Sequence, residues 1–413
     1  MRGRTVSNTE PTAATGLGRI LRSMNSLTRR ELLGAVSAAA VTPAARAVAP
    51  NDRIHVGLIG TGGRCSYLAR ILRTMPEVQF TAMCDVYRDR VEALADQLEP
   101  RAEILNDYRK LLERKDVDAV VVGAPDHWHT QMTLDAVSAG KDVYCEKPVT
   151  HRLEEGDRLI QGVEASKRVV ATGTQQRSWD HYILAKQFID GGRLGQITSV
   201  QTWWFQNYAK HAPQAEINTR DLDWKAWLGN APEQPFSNLK YRRWRFFWDF
   251  GGGAFTDLMA HWIDAVQWIL ESPNPKVVSA TGSTKMLKEL QCPDTVSASI
   301  DYERFNFTYY GTMIDSIEDG GIVFRGSNGV MQLTRDGFEI YREGVRATRL
   351  SDRPEAEVIV RSSGDGTISN LRNWLDCIHT RSLPNAHIRA GVQCARSAHL
   401  ANQAMRERRT IAL

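Results

Sequence analysis

The sequence predicts an α/β fold whose first domain is a doubly wound parallel sheet, followed by a second, β-rich domain. Three observations carry this reading. From residue 53 onward, apolar strand-like runs alternate with helical stretches, the spacing at which successive strands lie parallel and are joined by helices. The first run, 54–59, is followed at once by Gly60-Thr61-Gly62-Gly63-Arg64-Cys65, a glycine loop after a strand and opening a helix. The chain has 413 residues, enough for two or three domains that each bury a core.

The elements follow in order. A buried strand over 54–59 leads through the glycine loop into a helix beginning at 66–72. A second strand over 80–85 ends in an acid, Asp85, and a charged helix follows at 88–98. A third strand at 119–124 precedes a helix, and short strands follow at 142–146 and 168–173. Beyond them, 197–205, 277–283, 295–301, 305–314 and 322–325 are β-rich with partial alternation,. Gly320-Gly321 and Asn328-Gly329 supply turn chemistry between the later strands. Helices over 370–378 and 392–405 are placed to pack back across the domains. The organisation expected is a leader at 1–49, a dinucleotide-binding domain at 50–173 and a substrate-binding domain at 174–413.

Charge divides unevenly along the chain. The formal net charge is +4, yet residues 1–49 alone carry seven Arg and two Glu, so the remainder is close to neutral at −1. The excess charge sits in the leader, which removes the electrostatic case for nucleic-acid binding. In that leader Arg29 and Arg30 precede an apolar, Ala-rich run too short and too rich in small residues to span a bilayer,. Ala45-Arg46-Ala47 and Ala47-Val48-Ala49 are acceptable cleavage sites. This order is that of a twin-arginine export signal. It predicts a periplasmic or otherwise exported protein, handled by the twin-arginine export machinery and without a stable membrane anchor; Met24 is an alternative start. The six cysteines are scattered without a C-x-x-C pair and read as buried free thiols,.

The glycine loop has a definite chemistry. Gly60 permits the tight turn, and Gly62, with Gly63 and Arg64 beside it, lets the backbone approach a pyrophosphate at a helix N-terminus. The third glycine position holds Cys65, small enough for helix–strand packing. Asp85 is placed to accept from a ribose 2′-hydroxyl and to repel a 2′-phosphate, which favours NAD over NADP; Arg88 nearby leaves NADP possible. The chemistry is located by Pro125-Asp126-His127-Trp128-His129 and by Glu146-Lys147-Pro148, each at the carboxyl end of a strand, where open α/β sheets bind ligands. A lysine there can hydrogen-bond a substrate hydroxyl and shuttle its proton.

The glycine loop, Asp85, the turn at 125–129 and above all Glu146-Lys147-Pro148 resemble the Gfo/Idh/MocA family of sugar oxidoreductases. A second segment, Gly251-Gly252-Gly253 through Asp257 to His261, is similar to that family's G-G-G…D…H signature. The resemblance spans roughly 52–413. It implies a Rossmann domain and a C-terminal α/β domain with a large open, mainly antiparallel sheet, through which a homo-oligomer is expected to form. It also implies cofactor contacts from Gly60, Gly62, Gly63, Arg64, Asp85, Pro125, His127, His129, Glu146 and Lys147, and catalysis by Lys147, Asp257 and His261. Asp257 and His261 lie four apart, on one face of a helix; no third or fourth ligand is in register, so no metal is expected.

Between the motifs lies an aromatic stretch that includes Trp203, Trp204, Tyr208, Trp227, Tyr241, Trp244 and Phe246. With His211, Arg242, Arg243 and Arg245 it suits a carbohydrate pocket, and Gln175, Gln176 and Arg177 are candidates to line the cleft. Three function classes follow from the resemblance. The first is an NAD(P)-dependent oxidoreductase of a sugar or cyclitol hydroxyl carbon. The second is a glycosidase with catalytic NAD, similar to exported α-N-acetylgalactosaminidases, acting by transient oxidation and elimination. The third, a non-catalytic sugar-binding protein, is disfavoured by the intact Lys147, Asp257 and His261.

Overall fold

Strands such as Ala119-Val120-Val121-Val122 have no polar alternation, so both their faces must be covered. In the computed structural model, which describes residues 53–208, 216–344 and 355–413, they are. The leader with its arginine pair, and His211, lie outside the described residues. β1 (Ile54–Ile59), α1 (Gly63–Leu72), β2 (Val78–Cys84), α2 (Arg88–Ala95), β3 (Glu103–Leu105), α3 (Tyr108–Leu112), β4 (Ala119–Val122), α4 (Asp126–Ser138), β5 (Asp142–Cys145), α5 (Glu155–Ser166) and β6 (Val170–Thr172) form the first domain. Its six strands pair in parallel in the order β3-β2-β1-β4-β5-β6. The order reverses between β1 and β4, which opens a crevice at their carboxyl ends.

The remaining elements are α6 (Asp180–Asp190), β7 (Ile197–Phe205), α7 (Trp224–Leu228), α8 (Asn238–Arg242), α9 (Ala260–Ile269), β8 (Val277–Ser283), β9 (Thr295–Asp301), β10 (Asn306–Thr312), β11 (Gly320–Gly326), β12 (Gly329–Thr334), β13 (Gly337–Arg342), β14 (Val358–Arg361), α10 (Gly366–Thr380), α11 (Ile388–Glu407) and β15 (Ile411–Ala412). They build a nine-stranded sheet, β14-β13-β12-β11-β7-β10-β9-β8-β15. It is antiparallel apart from the β7–β10 pair. Val296, Ala298 and Ile300 alternate inward along β9, as a strand with one covered face requires,.

Two hydrophobic clusters sandwich the parallel sheet. On one side Val56, Leu58, Met83 and Val121 meet Leu68 of α1, Val91 of α2 and Leu371, Trp374 and Leu375 of α10. On the other, Val120, Val122 and Val143 meet Leu111 of α3, Ala136 of α4, Leu159 of α5 and Val392 of α11. The last two helices therefore return from the C-terminal end of the chain to cover the first sheet. Asn370 fastens one of them, its amide donating to the Thr172 carbonyl at 2.9 Å and to the Tyr144 hydroxyl at 3.1 Å. All six cysteines are free and buried. Among the described residues no helix is long and apolar enough to cross a membrane.

Two expectations change. Gly320-Gly321 opens β11 instead of forming a turn, because both glycines lie under tryptophans: a Cβ on Gly320 would meet Trp262 Cζ2 at 2.9 Å, and one on Gly321 would meet Trp203 Cζ2 at 2.8 Å. The segment around Asp257 is not regular α-helix. Phe255–Met259 forms a π-helical turn before α9 starts at Ala260, and π turns in helices often mark functional sites.

Candidate active site

The crevice at the reversal point is a cleft of about 1120 Å³. Gly60 turns the chain there at φ +78°, and a Cβ on it would lie 2.7 Å from the Ala124 nitrogen, so only glycine fits,. Gly62 caps α1 without a side-chain hydrogen bond, and the first turn has no acid. Open space faces Gly63, so the first amide groups of α1 point into room suited to an anion. Where the fingerprint expects a third glycine, Cys65 is fully buried, and the missing Cβ is on the opposite strand. A Cβ on Gly123 would come within 2.7 Å of Cys65 Cβ. Asp85 accepts from the Thr61 amide (2.7 Å), the Thr61 hydroxyl (3.0 Å) and the Tyr87 amide (2.9 Å), which fixes its carboxylate at the cleft wall. These residues fit a dinucleotide: amides for the pyrophosphate and a carboxylate for the ribose.

Arg88 does not face this cleft. It is exposed and pairs with Glu92 at 2.8 Å, while Arg90 lines the wall, 5.1 Å from the Tyr241 ring centroid.

A second cavity of about 460 Å³ adjoins the first and shares Arg64, Gly123, Ala124 and Arg245 with it. Lys147, after β5, donates from Nζ to the Asp257 carbonyl at 2.7 Å and to Asp257 Oδ1 at 2.9 Å. Arg245 Nε lies 3.2 Å from the same oxygen, and the Tyr208 hydroxyl donates to Oδ2 at 3.3 Å. Burial alone raises the Asp257 carboxyl, but the Lys147 ammonium and the Arg245 guanidinium outweigh it and hold the group at about 2. His261 is buried, its ring 5.3 Å from that of Trp204, and its Nδ1 has no hydrogen-bond partner among the described residues. Burial, reinforced by the cations Lys147, Arg335 and Arg64, pushes the imidazole well below its ordinary range. The site therefore holds an ammonium, an ionised carboxylate and a neutral imidazole around one cavity.

Other expected contacts fall elsewhere. His127 lines neither cavity: its Nε2 lies 3.1 Å from the Trp227 carbonyl, and its ring packs on Trp227 and Phe250. His129 reaches the second cavity, but both its nitrogens engage backbone carbonyls, of Pro148 and Ala124, at 2.7 Å. It ties the end of β4 to the lysine-bearing segment. Glu146 likewise lines the second cavity and not the first, where it binds Arg64 Nε at 2.7 Å. Arg177 is taken up by buried Asp264, its Nε donating to Oδ1 at 3.0 Å and Oδ2 at 2.9 Å, while Gln175 reaches the cavity. Pro125, Gly60, Gly62, Gly63 and Arg64 all line the large cleft.

Residues 54–174 match the family described as an oxidoreductase family with an NAD-binding Rossmann fold, and residues 186–413 match the same family's C-terminal alpha/beta domain. The chain belongs to this oxidoreductase family. Within it, the chain is 32% identical over 183 residues to the inositol 2-dehydrogenase of Salmonella typhimurium, covering 43% of this chain and 53% of that one. It thus spans about half the length of such relatives. It is also 36% identical over 129 residues to a glycosyl hydrolase family 109 protein of Solibacter usitatus, 29% of this chain and 30% of that one. Among solved structures, levoglucosan dehydrogenase in complex with NADH and levoglucosan shares the fold at TM-score 0.69 and 19% identity, covering 87% and 99% of the two chains.

Two residues of this family member's cavity were given no role of their own from the sequence. Asp126 opens α4 in the cavity wall, and burial pushes its carboxyl well above the usual range, with Arg245 and Lys147 pulling against that and Asp257 and Glu146 adding to it. Arg335 arrives from the turn between β12 and β13. In the sequence the first entered only as part of the 125–129 turn, and the second carried no motif.

Proposed function

We propose that the protein is an NAD-dependent oxidoreductase of a secondary hydroxyl on a sugar or cyclitol. The observation that carries this is the Lys147–Asp257–His261 cluster in a sugar-sized cavity that opens beside the dinucleotide cleft. Gly60, Gly62 and Gly63 with the amides of α1 would hold the pyrophosphate, and Asp85 the ribose; bound there, oxidised nicotinamide supplies the hydride acceptor. An ammonium has three N–H donors, and Asp257 engages two of Lys147's. The third is left to hydrogen-bond the substrate hydroxyl and to stabilise negative charge as its proton leaves. Neutral His261, which lines the same cavity, receives that proton,. Asp257 stays ionised and fixes Lys147.

A second reading, a glycosidase that uses NAD transiently, is favoured by the similarity to the family 109 glycosyl hydrolase. Net reduction of NAD by a free sugar supports the first reading. Aglycone release from a glycoside with no net change in NAD supports the second.

The leader adds a location. Its arginine pair, apolar run and cleavage sites support export by the twin-arginine route, which carries folded proteins. Ligand bound only to the folded state stabilises it, so the dinucleotide would enter before export and be recycled in place, either by a second substrate that takes the hydride back or by a redox-neutral elimination. Protein from periplasm is expected to carry stoichiometric dinucleotide, and Arg29→Lys/Arg30→Lys to strand it in the cytoplasm. Empty protein, or unaltered export of the variant, would contradict this.

A further inference from the structure

The cavity wall beyond His261 is built from side chains that the proposed chemistry does not use. Arg335 lies there with its guanidinium carbon 4.4 Å from the ring centroid of Trp204 and 5.7 Å from that of Trp262. Trp204 in turn neighbours His261. A guanidinium laid on an indole face keeps its N–H edge free for a planar acceptor. Among the described residues that edge finds no carboxylate within ion-pair distance, and the Arg335 Nε is buried without an acceptor. Tyr182, Asp319 and Asp365 act on it only at longer range.

A buried donor left unpaired is costly. The surroundings of Arg335 share its sign. Six basic side chains line this cavity against three carboxylates, and burial keeps one of the three, Asp126, protonated over an unusually wide pH range. The cavity thus carries an excess of positive charge in the place where a substrate must sit.

We infer that Arg335, stacked on Trp204 and Trp262 at the end of the cavity beyond His261, binds the carboxylate of an acidic sugar, so that the substrate class is a hexuronate type and not a neutral hexose or cyclitol. This rests on reading the cavity as the substrate site of a sugar oxidoreductase. A carboxylate is the better match than a phosphate. The planar fork of arginine pairs bidentately with either, but phosphate sites usually add backbone amides at a helix N-terminus or nest. Arg335 sits on a β-hairpin turn, and about 460 Å³ accommodates a single ring with its substituents.

The test is binding, read by tryptophan fluorescence and calorimetry on the full chain loaded with NAD. The probes are D-glucuronate and D-galacturonate, each against its neutral hexose, with glucose 6-phosphate as a third arm. At least one uronate is expected to bind about tenfold or more tightly than its hexose, the size of one charge-assisted pair. Arg335→Gln should bring that ratio near one. Arg335→Lys, which keeps the charge and loses the fork, should fall between, and it decides the matter if Arg335→Gln does not fold. Hexoses binding as tightly as uronates, a preference undiminished in the Arg335 variants, or tighter binding of glucose 6-phosphate would each overturn the inference. Failure of NAD reduction with every sugar, while the uronate preference persists, would instead overturn the oxidoreductase reading. Reduction by neutral sugars with no uronate preference would overturn only the role of Arg335.

Discussion

Asp85 shows how a single side chain can set cofactor choice. Three donors from Thr61 and Tyr87 fix its carboxylate, so it cannot turn away from an incoming 2′-phosphate. NAD is expected to bind better than NADP, and Asp85→Ser to narrow the difference by about tenfold, one charge-assisted contact's worth. Titration of both dinucleotides into wild type and variant measures this, and an unaltered ratio would remove Asp85 from the role. Lys147, Asp257 and His261, which line one cavity, stand out in the sequence because two short motifs carry them. Arg335 and Asp126 do not. One sits in Thr334-Arg335-Asp336-Gly337, indistinguishable from any exposed hairpin turn. The other becomes an unusual acid only when Arg245, Lys147, Asp257 and Glu146 are folded around it. His127 failed in the opposite direction: its motif pointed to the cleft, and the aromatic packing of Trp227 and Phe250 drew the ring away.

The crossing of α1 over β4 depends on one missing methyl group, which sits on Gly123 instead of in the helix. Gly123→Ala would drive its Cβ against Cys65 Cβ, and such overpacking typically costs about 1–3 kcal/mol. Adding Cys65→Gly removes the atom it meets and should recover part of the loss. Thermal melts of the two single variants and the double variant test this coupling; strictly additive losses would refute it. Elements with uniform apolar runs or clear alternation, such as β1, β4, β7 and β9, were readable because their periodicity is the signal. β14 and β15 were not, being four and two residues long. The π turn at Phe255–Met259 was also hidden, since the Asp257–His261 spacing suits an ordinary helix equally well.

Across the whole molecule, acid sensitivity follows from buried histidines. Burial, with the Trp227 carbonyl acting in the opposite sense, holds His127 at about 3, and burial with neighbouring His151 holds His399 at about 4. In the unfolded chain both take up a proton near pH 6.5, so below that pH the unfolded state binds more protons than the native one. Stability due to these groups is therefore full above pH 6.5 and falls as pH drops toward 4, by about 1.4 kcal/mol per pH unit for each. Denaturant midpoints measured from pH 7 to 4.5 should decline accordingly, and His399→Gln should shallow the slope; a flat profile would contradict the burial of both rings. The same return of α10 and α11 that buries His399 also binds the first sheet to the C-terminal end of the chain. On the proposed reading, what all of this positions is a substrate hydroxyl between Lys147 and His261, next to a dinucleotide. The most direct measurement is single-turnover transfer of deuterium from the hydroxyl-bearing carbon of a sugar to the nicotinamide ring, followed by rapid quench and mass spectrometry. The label is expected to appear in the cofactor of the wild-type protein. It should be slowed by about 10²–10⁴-fold in folded, NAD-loaded Lys147→Met. Label that never leaves the sugar, or that leaves as fast in the variant, would contradict the account.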